Sequence, residues 1–221
     1  MGLLDRLAPR RNESDVPASP SVSAEDPIFA TKALRKFLTS LTARESPVLL
    51  DLGPVVGSNV SFFGEQLGCK IFVEDIFADL SRHLRTGVLD ELPAFLKKRF
   101  PQESGSVDGI LCWDLIDYMD RPAAHELAHE LTRVLRPDGA LLAFFANTPP
   151  RDTRYTKYVI VDEVNLKHRS YEAGRSRQPI LLNRDIIRLF SGLRVTDSFL
   201  LQNNLREILF RKPAYLPTES T

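Results

Sequence analysis

The stretch from Val48 to Ile76 constrains the fold of this 221-residue chain more than any other. The apolar run Val48–Leu50 ends at Asp51, which is typical of a short strand buried on both faces. Gly53 and Gly57 then bracket a tight loop. A helix-like spacing of apolar residues follows, and then a second apolar run that ends in two acidic residues. The order of strand, glycine loop, helix, strand and acid predicts half of a nucleotide-binding βαβ unit.

The residue types in this stretch suit the binding of a nucleoside. Glycine lets the backbone approach a ligand closely, and the start of a helix offers free N–H groups to its polar end. Glu74 follows Asp51 by 23 residues, close to the interval of about 20 at which an acid binds ribose hydroxyls. A nucleotide-binding α/β protein of another kind, such as an oxidoreductase, and a purely structural βαβ unit are the alternatives.

The glycine spacing is not that of the dinucleotide fingerprint, because Val55 and Val56 lie between the two glycines. The string Asp51-Leu52-Gly53 instead resembles the first motif of the class I S-adenosylmethionine-dependent methyltransferases, of the type 11 kind. That motif has three alternating glycines, and Val55 stands at the middle one.

This resemblance implies a set of residues that bind S-adenosylmethionine. The glycine loop would hold the amino acid part of the cofactor, and the acid after the second strand would bind its ribose. The residues implied to bind the cofactor are Asp51, Gly53, Pro54, Gly57, Glu74, Asp75 and Trp113. A non-catalytic binding or scaffold protein of the same fold is the alternative, which the valine at position 55 favours.

A second motif, Leu135–Leu142, resembles the methyltransferase segment in which Pro and Gly precede an apolar strand. The implied fold is a Rossmann-like three-layer α/β/α sandwich with a mostly parallel seven-stranded sheet. Residues 193–201 and 205–210 would form its C-terminal antiparallel hairpin. No clear third strand is visible before Ser106, so that strand is either short and close to Phe100 or replaced by helix.

Trp113 and Asp114 follow the apolar run Val107–Cys112. Ligands of open parallel sheets bind outside the carboxyl ends of the strands, so both residues fall at the functional edge of the fold. Asp114 is the predicted catalytic residue, acting as a general base where the acceptor is protonated at neutral pH. The structural alternative is that Asp114 caps the turn or helix that follows.

An inserted hairpin is predicted at about 150–178, beyond the fifth strand. It is locally basic and carries interleaved tyrosines. In the resembled family, insertions at this place line the acceptor pocket, so Tyr155, Arg154 and Lys157 are predicted to bind the substrate. A small-molecule acceptor, either anionic or aromatic, follows from this prediction. A solvated hairpin or a dimer contact is the alternative.

Residues 27–213 are predicted to form one domain, which begins with an amphipathic helix over 27–43. Residues 1–26 and 214–221 are predicted to be disordered tails because they are rich in proline and polar residues.

Composition narrows the function further. Lys and Arg together number 29, as do Asp and Glu, which argues against a nucleic-acid partner. The chain has no apolar run long enough for a membrane span and no visible signal peptide, so a cytoplasmic protein without a membrane partner is expected. Its two cysteines are expected to be buried, reduced thiols. No metal site is expected, although His125 and His129 have a spacing that can bind zinc.

Overall fold

The computed structural model describes residues 26–149 and 153–214. The two predicted tails therefore lie almost wholly outside the described residues. The helices are α1 (Leu34–Thr42), α2 (Gly57–Ser61), α3 (Ile76–Thr86), α4 (Leu92–Leu96), α5 (Arg121–Val134) and α6 (Asn183–Leu189). The strands are β1 (Ile28–Ala30), β2 (Val48–Asp51), β3 (Lys70–Val73), β4 (Val107–Trp113), β5 (Leu135–Ala146), β6 (Arg154–Asp162), β7 (Asn165–Glu172), β8 (Arg194–Leu200) and β9 (Leu205–Arg211).

Six strands form the main sheet, in the order β3-β2-β4-β5-β9-β8. The first four are parallel, whereas β9 lies antiparallel to β5 and β8 antiparallel to β9. The predicted C-terminal antiparallel hairpin is therefore confirmed. The prediction of seven strands is wrong, because the chain between α3 and β4 forms helical turns and α4. Leu92 and Leu96 are buried while Ala94, midway between them, is exposed, which suits the period of a helix rather than the alternation of a strand.

Apolar side chains cover the main sheet on both faces. One cluster joins the sheet to α3, α4, α5 and α6, and the other joins it to α1 and the residues after α2. The neighbouring β5 residues Phe145 and Phe144 belong to the first and the second cluster respectively, because successive side chains of a strand point to opposite faces. The result is the three-layer arrangement that the sequence predicts.

Strands β1, β7 and β6 form a separate antiparallel sheet, here called the small sheet. Strands β6 and β7 are the hairpin expected at about 150–178. The prediction of one helix over 27–43 is wrong at its start, because Ile28–Ala30 pairs with β7 and α1 begins only at Leu34. Pairing with a distant strand has here overridden the local helical pattern. None of the helices in the described ranges is long and apolar enough to cross a lipid bilayer.

Candidate functional site

A cleft lies at the carboxyl ends of β2 and β4, beneath the small sheet. Its cavity volume is about 20 Å³. One water needs roughly 10–15 Å³ by the same measure, so the cleft as it stands has room for little more than a single water. The lining residues are Asp51, Leu52, Gly53, Pro54, Val56, Asn59, Phe77, Cys112, Trp113, Asp114, Leu115, Tyr155, Thr156 and Tyr158.

Asp51 ends strand β2 and is 3% exposed. Its Oδ1 accepts hydrogen bonds from the backbone N–H of Gly53 at 2.9 Å and from the indole N–H of Trp113 at 2.7 Å. Burial raises the pKa of Asp51 to about 6, although both hydrogen bonds lower it and the negative charge of Asp75 adds to the rise. No Lys, Arg or His in the described ranges forms a salt bridge with this carboxylate.

Trp113 lies directly over the glycine loop. A Cβ at Gly53 would come within 2.9 Å of two indole atoms of Trp113, so any side chain at this position would force the indole to move. Trp113 itself has a φ of 50°, which is strained for an aromatic residue, whereas the three other non-glycine residues with positive φ in the described ranges are Ser, Asp and Asn. Its ring stacks on Tyr158 with centroids 5.0 Å apart and an interplanar angle of 8°.

The small sheet is held over the glycine loop by Asn59, which is 2% exposed. The side chain of Asn59 donates a hydrogen bond to the carbonyl of Tyr158 at 2.8 Å and accepts one from the N–H of Ile160 at 2.9 Å. At the other end of the cleft, Tyr155 stacks on Phe77 with centroids 4.2 Å apart. Strand β6 thus forms the roof of the cleft.

Asp114 lies beside Trp113 and forms an ion pair with Arg177, which also approaches Asp117. Both carboxylates are buried. Burial raises the pKa of Asp114, and the Arg177 guanidinium offsets part of this rise. Burial and the charge of Asp114 raise the pKa of Asp117 to about 7. Burial raises the pKa of Tyr158 well above its usual range, and the nearby Asp114 adds to the effect.

The cleft brings together six of the residues predicted from the sequence. These are Asp51, Gly53, Pro54, Trp113, Asp114 and Tyr155. Gly57 is absent from its lining, and a Cβ there would meet nothing within 4 Å, so crowding does not explain that glycine and its role in binding a cofactor stays a prediction.

The two acids at the end of β3 also lie outside the cleft lining. Glu74 forms a salt bridge with Arg99 at 2.5 Å, and Arg99 also binds Asp79 at 2.8 Å. Asp75 caps α3 by accepting a hydrogen bond from the N–H of Ala78 at 2.9 Å. Their roles in binding a cofactor therefore stay predictions.

The predicted basic substrate residues do not line the cleft either. The Nζ atom of Lys157 lies over the ring of Tyr171, 4.7 Å from its centroid. Arg154 begins strand β6, where its carbonyl accepts a hydrogen bond from Tyr118 Oη at 2.6 Å. Their roles in substrate binding remain predictions.

Among the site residues that the sequence did not predict are four with specific contacts, Asn59, Phe77, Tyr158 and Arg177. Asn59 could have been predicted as a site residue because it is a polar residue just after the glycine loop. Phe77 could have been predicted because it is an apolar residue just after the two acids at the end of β3. The other two belong to the inserted segment, whose position over the sheet no local pattern encodes.

Helix α5 carries a group of possible metal ligands, Glu126, His129 and Glu130, whose ligand atoms lie within 4.8 Å of one another. His125 is not part of this group. The Glu130 carboxylate binds Arg133 at 2.8 Å, so a cation already neutralises it. The group therefore carries no metal assignment.

No protein-family model and no curated protein matches this chain. Several solved structures resemble it. One is the 1,6-didemethyltoxoflavin-N1-methyltransferase of Burkholderia thailandensis with bound S-adenosylhomocysteine, at 17% identity and a TM-score of 0.47, covering 82% of this chain and 78% of that one. Another is a SAM-dependent methyltransferase of Methanosarcina mazei, at 11% identity and a TM-score of 0.49, covering 78% and 95%. A third is the [4+2]-cyclase SpnF, at 13% identity and a TM-score of 0.49, covering 82% and 81%.

These similarities are too low to carry an activity, and the fold assignment rests on the strand order. A glycine loop follows β2, the parallel strands β3-β2-β4-β5 have helices on both faces, and the antiparallel strands β9 and β8 complete the sheet. An antiparallel end separates this sheet from that of dinucleotide-binding dehydrogenases. The chain therefore has the Rossmann-like fold of the class I S-adenosylmethionine-dependent methyltransferases.

Proposed function

We propose that this protein is an S-adenosylmethionine-dependent methyltransferase that acts on a small-molecule acceptor. The observation that carries the proposal is Asp51, a buried carboxylate without a salt-bridge partner in the described ranges, next to a crowded glycine in a cleft at the carboxyl ends of parallel strands. A cationic ligand would neutralise such a carboxylate. The cofactor carries its methyl group on a positively charged sulfur, so its charge fits this site.

The residues around Asp51 have separate roles in this proposal. Gly53 and Pro54 hold the amino acid end of the cofactor, and Trp113 forms the wall beside it. Glu74 binds the ribose and is oriented by its salt bridge with Arg99. Asp114 faces the acceptor. Because the cofactor provides a good leaving group, the protein chiefly aligns the two reactants and excludes water.

The size of the cleft fits a cofactor only after an opening step. Its cavity volume of about 20 Å³ is far below the roughly 300–1,000 Å³ of typical small-molecule sites. The stacked rings of Trp113 and Tyr158 close it. Binding therefore requires these two rings to separate.

The chain has a single tryptophan, so this opening step is directly observable. We expect S-adenosylmethionine to change the emission of Trp113 with saturation, and calorimetry to give the same dissociation constant. Asp51→Asn should weaken binding by about tenfold or more, because it removes the charge but keeps the hydrogen-bond acceptor. Asp185→Asn, on α6 and outside the cleft, is the matched control. Binding that is equal in both variants would contradict the proposed role of Asp51.

Two contacts favour a second function, that of a non-catalytic binding protein. Trp113 already fills the space next to Gly53, and Arg99 already occupies the Glu74 carboxylate. In that case millimolar S-adenosylmethionine would produce no heat of binding, no change in emission and no rise in the unfolding temperature.

A further inference from the structure

The cleft lining has a distinctive chemical composition. Among its fourteen described residues, four have aromatic rings and two have carboxylates, whereas none is Lys, Arg or His. The aromatic residues are Phe77, Trp113, Tyr155 and Tyr158, and the acids are Asp51 and Asp114. Aromatic faces and carboxylates together attract organic cations.

The aromatic residues form two stacked pairs. Phe77 and Tyr155 have an interplanar angle of 21°, and Trp113 and Tyr158 one of 8°. Each pair joins a residue of the main fold to a residue of β6. A ligand that separates either pair therefore meets the face of a ring, where a positive charge is attracted by the ring quadrupole.

Two cations near the cleft already have partners. Arg177 forms its ion pair with Asp114, approaches Asp117 and lies over the ring of Tyr118, 5.5 Å from its centroid. Lys157 lies over Tyr171. No cation among the described lining residues is left to balance an anionic acceptor, and the Asp51 carboxylate would repel it in this buried site.

A polar atom at the cleft also lacks a partner. The hydroxyl of Tyr158 has no hydrogen-bond partner of good geometry in the described residues, although this side chain is 3% exposed. The Asp114 carboxylate is close enough to interact with this hydroxyl and adds to the rise in its pKa. Buried polar groups are normally paired in good geometry, so this hydroxyl can still form a hydrogen bond with a ligand beside its contact with Asp114.

We propose that the methyl acceptor bound in this cleft is a nitrogen base, an amine that is cationic at neutral pH, held by Asp114, the hydroxyl of Tyr158 and the aromatic walls. This inference rests on the proposed methyltransferase function. It selects a cationic acceptor rather than the anionic one that the basic hairpin suggested from the sequence.

The acceptor ammonium gives a proton to the Asp114 carboxylate and becomes a neutral amine. The amine lone pair forms the new N–C bond to the methyl group as the C–S bond breaks, and that bond's electron pair stays on sulfur. The product is a methylated ammonium, and Asp114 releases its proton to water when the cleft opens. The Arg177 guanidinium keeps Asp114 ionised before the transfer.

The test compares three acceptors that share one ring, benzylamine, benzyl alcohol and phenylacetate, with the tritiated cofactor and the full chain. We expect the amine to be methylated at least about tenfold faster than the other two. Asp114→Asn should slow amine methylation by about 100-fold and remove its dependence on the ionisation of a base, whereas Asp185→Asn should match the wild type. Equal or faster transfer to the alcohol or the carboxylate would overturn the inference while leaving the methyltransferase function in place.

Binding without transfer separates the two proposals. The emission of Trp113 reports the binding of benzylammonium and of benzyl alcohol in the absence of cofactor. Tighter binding of the cation by about tenfold, reduced in Tyr158→Phe, supports a cation site even if no methyl group is transferred. The proposed cation site is overturned if no amine is methylated and the two probes bind equally. It is also overturned if no amine is methylated and neither probe binds. Circular dichroism of each variant verifies that the fold is retained.

Discussion

At position 53 the structure leaves no space for a side chain. The indole of Trp113 lies 2.9 Å from where a Cβ would stand, and Asp51 Oδ1 lies 3.2 Å from it. The glycine at position 53 thus lets an aromatic side chain of β4 pack over the loop, in addition to its proposed role in binding a ligand.

Substitution of the two glycines should have unequal effects. We expect Gly53→Ala to lower the free energy of unfolding by about 1–3 kcal/mol, because the new methyl group forces the indole to move. Gly57→Ala should leave stability unchanged or raise it by up to about 1 kcal/mol, since Gly57 begins α2 and a Cβ there meets open space. Urea denaturation of both variants measures the difference. Equal losses would mean that Trp113 does not pack on the loop as described.

Strand β6 depends on α2 for its position over the cleft. Asn59 satisfies one backbone carbonyl and one backbone N–H of β6, and all of these groups are buried. Among the described residues, the hydrogen bonds that join the strand to the glycine-loop helix involve this side chain. This contact, between elements that are about 100 residues apart, helps to fix the roof of the cleft.

Removal of this contact should loosen the roof more than the main sheet. We expect Asn59→Ala to cost about 2–4 kcal/mol, because two buried backbone groups lose their partners. Hydrogen exchange should accelerate in β6 and β7, while exchange in β2 and β4 changes only as much as global stability does. Asn165→Ala is the control, since its side chain makes an exposed contact with Asp162. Uniform acceleration over all strands would contradict the proposed link.

The elements that the sequence predicts well are those with strong local patterns. The apolar runs of β2 and β4 end in Asp51 and Trp113, so the edge that holds the cleft was predictable from strand direction alone. Strand β1 was not predictable in this way, because its three residues form a strand only by pairing with β7. Tyr158 and Arg177 reach the site through the tertiary placement of the insertion, which periodicity does not encode.

At the scale of the whole molecule, the main sheet separates two apolar clusters, and only one of them contains Trp113. Phe145 belongs to the cluster with α3, α5 and α6, whereas Phe144 belongs to the cluster that includes Trp113 and Tyr158. The Phe144 ring lies 5.8 Å from that of Trp113 and 5.0 Å from that of Tyr158. The second cluster thus supports both the fold and the walls of the cleft.

A matched pair of substitutions distinguishes the cluster that contains Trp113 from the cluster on the other face of the sheet. Phe144→Ala and Phe145→Ala should each lower the free energy of unfolding by about 3–5 kcal/mol, because both rings are fully buried. Below the unfolding transition, only Phe144→Ala should shift the emission of Trp113 and change ligand affinity. Emission spectra of the two folded variants provide the measurement. A similar shift in both would show that the two clusters are not independent.

The pairing of β1 with β7 also has a consequence for how the chain assembles. Ile28 is opposite Lys167, so this contact closes a loop that contains most of the main sheet. The entropic cost of closure grows with loop length, and distant pairings are slow to form. During synthesis, β1 leaves the ribosome before β7 and can pair with it only after β7 has also emerged. The small sheet over the cleft is therefore completed late in the synthesis of the chain.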